Sequence, residues 1–149
     1  MDNINYTNLM LSNSGLPVVY NSKTPIFFIG TSLPKIAYKI IQRMHNDGFY
    51  VNLGMYPAVP MKNTGVRFTI TKLHTFDQIE AMVNSLSKNY FEVMKEENFD
   101  ISRIYSAFKI KPENEKTTER IMSGLEETFN LKLNHYNTIN DINKEEWNL

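Results

Sequence analysis

The sequence predicts an α+β domain in which a small, mainly antiparallel β-sheet carries helices packed on one face. Three short segments rich in β-branched and aromatic residues predict strands at residues 26–29, 49–53 and 66–71. Two longer segments with apolar residues at helical spacing predict helices at 33–47 and 75–96. The chain has 149 residues, of which 42% are apolar, which is typical of a globular protein of one-domain size.

The first strand and the helix after it form the clearest unit of the sequence. Residues 26–29 lie between turn residues, and we expect Gly30 to end the strand. Ser32 is expected to cap the following helix, with Pro34 in its first turn, where a missing N–H costs little. Gly48 is expected to follow the helix in the left-handed conformation.

The third strand and the second helix are predicted by two further patterns. Residues 66–71 alternate apolar and polar side chains, so Val66, Phe68 and Ile70 are expected on a buried face. Arg67 and its polar neighbours are then expected on the opposite face. Thr75 and the glutamine three residues later predict a capping box at the start of the helix.

The remaining segments carry weaker patterns. The first twelve residues have some helical character, and Val18–Tyr20 is compatible with a short strand. The apolar residues of 101–110 fit neither the helical nor the strand period. Beyond them, the patterns predict a helix at 115–130, a strand at 131–136 and a short amphipathic helix at 140–147.

The composition excludes several classes of function. Sixteen basic and sixteen acidic residues leave no positive excess, so we expect no nucleic-acid partner. The absence of cysteine removes disulfides, thiolate metal sites and cysteine nucleophiles, and the three histidines lack ligand spacing, so no metal site is expected. The longest apolar run, residues 26–29, is too short to cross a membrane. Without a signal-peptide pattern at the start, the expected location is the cytoplasm.

Two short motifs near the first helix have functional interpretations that we weigh against structural ones. Ser32-Leu33-Pro34-Lys35 matches the Ser-x-x-Lys of penicillin-recognising enzymes, but the accompanying motifs of that class are absent. Gly30-Thr31-Ser32 between a strand and a helix could bind an anion, but no further glycine follows at nucleotide-binding spacing. A capped strand-to-helix turn is the favoured interpretation of both motifs.

Three segments in order resemble the small domain of class I/II aminotransferase-fold enzymes, above all the α-oxoamine synthases. These are residues 24–30 with the helix after them, residues 48–51 together with the Pro-x-x-Pro element at 56–60, and residues 65–75 with an arginine-bearing strand followed by His74-Thr75. The resemblance covers roughly residues 14–95 and rests on order and spacing. The family includes 8-amino-7-oxononanoate synthase and 2-amino-3-ketobutyrate ligase.

The resemblance implies the small domain of a pyridoxal phosphate (PLP) enzyme, either an acyltransferase that condenses an amino acid with an acyl thioester or an aminotransferase. It also assigns a few residues. In the family, the strand arginine before the His-Thr pair binds the carboxylate of the amino-acid substrate, and Arg67 occupies that position. Tyr56 and Pro57 are implied to lie near the substrate entry without a catalytic step. The Schiff-base lysine and the cofactor-binding residues belong to a large PLP-binding domain upstream. The resemblance therefore implies no catalytic or cofactor-binding residue in this chain, no bound cofactor when the chain is isolated, and a homodimer in the intact enzyme.

The resemblance also implies a division of the chain and leaves alternatives open. Residues 1–98 are expected to form the C-terminal small domain of the PLP transferase, and residues 99–149 an added helical or mixed subdomain or a linker. Residues 135–147 resemble the start of an acyltransferase-like region found in some oxoamine synthase-like polypeptides. One alternative is a non-catalytic binding or interaction domain on the same scaffold. The other is an acyltransferase whose active part lies beyond Leu149.

Overall fold

Helices and short strands alternate along the chain in a computed structural model that describes residues 2–110. The predicted elements at 115–130, 131–136 and 140–147 lie outside the described residues. The described elements, with a 3-10 turn at Met61–Asn63 between the second and third strands, are α1 (Asp2–Asn13), β1 (Ile26–Ser32), α2 (Pro34–Asn46), β2 (Asn52–Gly54), β3 (Thr64–Thr69), α3 (Phe76–Glu96) and α4 (Ser102–Phe108).

The three strands form an antiparallel sheet in the order β1–β3–β2, with β3 in the centre. In the register of the β1–β3 pair, Phe28 lies opposite Arg67 and Ile29 lies opposite Val66. In the β2–β3 pair, Asn52 is the partner of Arg67 on its other side. The predicted α+β class with a small antiparallel sheet is therefore confirmed. The segment at 18–20 contributes a single bridge, between Val18 and Ile29.

The ends of all three strands differ from the predicted ones. β1 continues through Gly30 to Ser32, because Gly30 pairs with Gly65 in the neighbouring strand. β2 begins at Asn52, since the backbone N–H of Phe49 donates to the carbonyl of Met44, 2.8 Å away, and so still belongs to the end of α2. β3 runs from Thr64 to Thr69 and is therefore shifted toward the N-terminus of the predicted segment.

The predicted N-cap at Ser32 is wrong. Leu33 is the residue that precedes α2, and it makes no side-chain capping hydrogen bond. Ser32 instead ends β1 after an irregularity in the β1–β3 register, and its φ of 63° is left-handed. Two other predictions about helix ends are confirmed. Gly48 follows α2 with a φ of 88°, and Thr75 forms the capping box with Gln78 at the start of α3.

The main core lies on one face of the sheet. Phe27 and Ile29 of β1 and Val66 and Phe68 of β3 are buried there, and the rings of Phe27 and Phe68 stack with centroids 5.2 Å apart. α2 packs against β1 and β3, α3 packs against α2, and α1 packs against α3. Val66, Phe68 and Ile70 are all buried, as their alternating pattern predicted.

The short helix α4 contacts β1 on the face that carries Gly30. A Cβ atom on Gly30 would lie 2.7 Å from the Phe108 ring and 3.1 Å from the Ile104 side chain, so the missing side chain makes room for this helix. Ile104 is fully buried. The boundary predicted at residue 98 stays a prediction.

Ion pairs link the exposed sides of α2 and the end of α3. Lys35 and Lys39 both pair with the carboxylate of Glu97, the first at 2.7 Å, and Arg43 pairs with Glu92 at 3.1 Å and with Glu96 at 2.5 Å. Hydrogen bonds from the two lysines hold the pKa of Glu97 below its ordinary value of 4.5. The Glu97 side chain is 15% exposed, whereas that of Glu92 is 49% exposed.

We expect Glu97→Gln to lower the free energy of unfolding at neutral pH. We also expect this free energy to fall less steeply with decreasing pH than it does in the wild type. Because the pKa of Glu97 is lower in the folded state, its stabilising effect is complete above pH 4.5 and is lost as the pH falls through the folded pKa. Urea unfolding at several pH values measures both effects. Glu92→Gln is the matched control, with a smaller effect expected because that pair is more exposed. Equal pH profiles for wild type and Glu97→Gln would contradict this prediction.

Candidate functional site

Arg67 lies at the middle of the central strand, on the face of the sheet opposite the main core. Its neighbours directly across the ladders are Phe28 and Asn52, and residues opposite each other on adjacent strands share a face. The Arg67 side chain is exposed. Within residues 2–110 it makes no hydrogen bond or ion pair. The guanidinium is therefore a permanently charged, planar donor that is free to bind an anion, and a carboxylate matches its geometry best.

A row of glycines crosses the sheet two residue pairs away from Arg67. Gly65 of β3 pairs with Gly30 on one side and with Gly54 on the other. The ring of Phe28 covers two of them, since a Cβ atom would lie 2.4 Å from this ring at Gly54 and at Gly65. The result is an aromatic ring beside a cation on one face of the sheet. The sequence pattern did not reveal it, because a register between distant strands brings these residues together.

Tyr56 and Pro57 lie in the loop that leaves the sheet after Gly54. Both residues are exposed, and the peptide bond between them is cis. The loop is held by hydrogen bonds from the N–H groups of Ala58 and Val59 to the carbonyl of Met55. Asn52, two residues before the end of β2, is the ladder partner of Arg67. The two predicted entry residues therefore follow directly from the strand beside Arg67, while their role at an entry stays a prediction.

His74 serves the turn after β3. Its Nδ1 accepts a hydrogen bond from the backbone N–H of Thr71 at 2.9 Å, which places the proton of the neutral ring on Nε2. The side-chain amide of Asn3 in α1 donates to the carbonyls of Thr71 and His74, at 2.9 and 2.7 Å. His74 is thus a structural neighbour of the capping box. Within the described residues, no group of three or more histidine, aspartate or glutamate side chains is arranged to hold a metal ion.

The described residues do not fit PLP on their own. The cofactor needs a lysine for its imine and a charged group at the ring nitrogen, held in a site that excludes water. None of the lysines in residues 2–110 is buried. Tyr90 is deeply buried. Its hydroxyl donates to the carbonyl of Gly30 at 2.7 Å, and burial raises its pKa. This tyrosine therefore joins α3 to β1 as a neutral donor and is not a catalytic acid or base.

A second group of polar residues, of which the sequence motifs included Ser32 alone, lines a surface cavity near the end of β1. It includes Ser32, Lys62 of the 3-10 turn and Arg103 of α4. No single motif joins these residues, because they come from three separate elements.

Comparisons with known proteins place the described fold among PLP enzymes. No family model matches the chain. A serine palmitoyltransferase from Sphingobacterium spiritivorum is 31% identical over 84 residues, which cover 56% of this chain and 21% of the relative. Among solved structures, 8-amino-7-oxononanoate synthase from Francisella tularensis matches with a TM-score of 0.52 and 25% identity, over 64% of this chain and 26% of that chain.

A serine palmitoyltransferase from S. paucimobilis, solved with a bound PLP–myriocin aldimine, shares the fold with a TM-score of 0.54 at 22% identity. That match covers 61% of this chain and 23% of the solved chain. The chain thus spans about a fifth to a quarter of the length of these proteins. Over about 60% of its length it has the fold of a PLP-dependent α-oxoamine synthase, as the resemblance predicted. No helix in residues 2–110 is long and apolar enough to cross a membrane.

Proposed function

We propose that this chain is the small-domain part of a PLP-dependent acyltransferase of the α-oxoamine synthase type. Such an enzyme condenses an amino acid with an acyl thioester and releases carbon dioxide and the free thiol. The observation that carries the proposal is Arg67, an exposed arginine without a partner in residues 2–110, at the centre of a sheet with this family's fold. The remainder of the enzyme, a large PLP-binding domain, supplies the lysine and the cofactor site.

In this proposal Arg67 binds the carboxylate of the amino-acid substrate. A rigid central strand fixes the Cα of the arginine between two ladder partners, so the guanidinium starts from a defined position. Paired N–H donors then orient the carboxylate, and orientation lowers the barrier of the step that follows. Tyr56 and Pro57 border the substrate entry to this carboxylate-binding position. PLP, when bound by the large domain, supplies the electron sink for the condensation.

The proposal extends to the organisation of the whole protein. Residues 1–98 form the C-terminal small domain, residues 99–149 form an added subdomain or a linker, and the intact enzyme is a cytoplasmic homodimer. The similarity to proteins of which this chain spans only about a quarter supports the need for a further domain.

We expect the isolated chain to be inactive. Mixed with PLP, it should give no lasting visible absorbance band from lysine-bound cofactor, because no described lysine is buried in a site that would hold the imine. Mixed further with amino acids and acyl thioesters, it should release no thiol above the PLP-only control. A lasting band together with thiol release would contradict this prediction.

The coding region on both sides of the chain distinguishes the proposal from its alternatives. A lysine-bearing PLP domain upstream, expressed together with this chain, should bind PLP and release thiol in the presence of an amino acid and an acyl thioester. A genuine start and stop at the present ends would instead support a non-catalytic interaction domain. An acyl-thioester-binding region downstream would support an acyltransferase whose active part lies beyond Leu149.

A further inference from the structure

The strongest feature whose lining does not include Arg67 is a surface cavity of ≈ 600 Å³. It lies where the end of β1, the 3-10 turn and α4 meet, and these three elements contact one another. Its volume is within the range of small-molecule sites, which is about 300–1,000 Å³. The cavity is lined by Ser32, Lys62, Ser102, Arg103, Ser106 and Ala107.

The charges around this cavity are positive. Lys62 and Arg103 come from different elements, and neither forms an ion pair within residues 2–110. No carboxylate is among the lining residues. The neighbouring acid, Asp100, accepts hydrogen bonds from the N–H and hydroxyl of Ser102 at 2.9 and 2.6 Å, and these bonds, with the charge of Arg103, lower its pKa. The Asp100 carboxylate is thus engaged at the start of α4.

Serine hydroxyls supply further hydrogen-bond donors beside the two cationic side chains. Ser32 and Ser106 make no side-chain hydrogen bond within the described part of the chain, whereas the Ser102 hydroxyl is used by Asp100. Arg103 is held in place over the ring of Phe99, with 5.7 Å between the guanidinium carbon and the ring centroid. Ser32 occupies a left-handed backbone position that glycine would adopt at lower cost, so its hydroxyl stands at a strained site.

We propose that this cavity binds the phosphate group of a phosphorylated small molecule. An ammonium, a guanidinium and two hydroxyls, supplied by three elements, match the several acceptor oxygens and the double negative charge of a phosphate monoester. A carboxylate has one charge and a planar pair of oxygens, so it would leave part of this donor set unused. The remaining volume accommodates the organic part of the ligand. This inference does not depend on the proposed role of Arg67.

The test compares two probes that differ in the anionic group. Phenyl phosphate and benzoate are titrated separately into the 149-residue chain by isothermal calorimetry at low salt, with inorganic phosphate as a third probe. We expect saturable binding of phenyl phosphate, weaker binding of inorganic phosphate, and at least about tenfold weaker binding of benzoate. Equal affinity for phenyl phosphate and benzoate, or no saturable binding of phenyl phosphate, would overturn the proposal.

Substitutions locate the binding. Arg103→Gln and Lys62→Gln should each weaken phenyl phosphate binding about tenfold, and Ser106→Ala should weaken it by a smaller factor. Lys72→Gln is the matched control, because it removes an exposed cation that does not line the cavity. Arg67→Gln should leave this binding unchanged, which separates the outcome from that of the proposed function. An equal loss in Lys72→Gln would show nonspecific charge attraction and refute the site.

Lipid headgroups are the other source of phosphate monoesters. Vesicles of phosphatidylcholine with and without phosphatidic acid are sedimented with the wild type and with Lys62→Gln. We expect no sedimentation in either case. Phosphatidic-acid-dependent sedimentation that Lys62→Gln abolishes would replace the small molecule by a membrane surface and so contradict the proposal. Thermal unfolding of each variant shows whether a loss of binding reflects a loss of fold, and Ser106→Ala provides the test if Arg103→Gln fails to fold.

Discussion

Gly65→Ala should lower the free energy of unfolding by about 3 kcal/mol, the largest stability effect that we expect from a single methyl group in this protein. A Cβ atom at this position would lie 2.3 Å from the carbonyl oxygen of Ile29 and 2.4 Å from the ring of Phe28. The oxygen belongs to the backbone of the paired strand, so it moves only if the ladder opens. Urea unfolding followed by circular dichroism measures the loss.

A mutant cycle tests the cause of this effect. The three atoms nearest to a Cβ at Gly54 all belong to the ring of Phe28, the closest at 2.4 Å, whereas the nearest atom at Gly65 is a backbone oxygen. Phe28→Ala should therefore relieve much of the cost of Gly54→Ala and little of the cost of Gly65→Ala. Gly48→Ala is the control: it meets no atom within 4 Å, and its positive φ alone costs about 1 kcal/mol. A Gly65→Ala variant as stable as Gly48→Ala would contradict this reasoning.

Arg67→Gln should reduce kcat/KM of the intact enzyme for its amino-acid substrate roughly 100-fold, through the loss of a bidentate, charge-assisted pair. The KM for the acyl thioester should change little, because the proposed contact is with the amino acid alone. The kcat/KM of Arg67→Lys should lie between those of the wild type and Arg67→Gln, since an ammonium keeps the charge and loses the planar fork. Steady-state kinetics with each substrate varied in turn measures these effects.

Thr69→Ala is the matched control for Arg67. Thr69 is exposed on the same strand and the same face, two residues further along. The Thr69→Ala variant should keep the kcat/KM for the amino acid and the KM for the acyl thioester near those of the wild type. If Arg67→Gln lowers the unfolding temperature while the amino-acid KM stays unchanged, Arg67 has a structural role only and the proposed carboxylate site is refuted.

The helices and the central strand were predictable because their patterns are long or local. The apolar positions of α2 and α3 repeat over several turns, and the capping box at Thr75 involves residues only three apart. The alternation at 66–70 fixed which side of β3 is buried, and with it the exposed face that carries Arg67. In these segments the local sequence and the tertiary structure favour the same conformation.

The remaining features depend on partners that are distant in sequence. β1 extends past Gly30 because Gly65, 35 residues later, continues the ladder, and this extension removes Ser32 from the predicted cap. α4 has only seven residues, so one fully buried side chain, Ile104, is too little to establish a helical period. The cavity was also not predictable, because its lining residues Ser32 and Arg103 are distant in sequence. No local pattern encodes a contact between such positions.

The contacts of Asn3 bear on the order in which the molecule assembles. Its side-chain amide reaches carbonyls 68 and 71 residues away, whereas the turn that it meets is already closed by the short bond between Thr71 and His74. Closing so long a loop costs chain entropy before any contact compensates for it. α1 precedes the third strand and its turn in the chain, so it must wait for both before it can make these contacts. Folding during translation should therefore leave Asn3 without these two hydrogen bonds until the turn after β3 has formed.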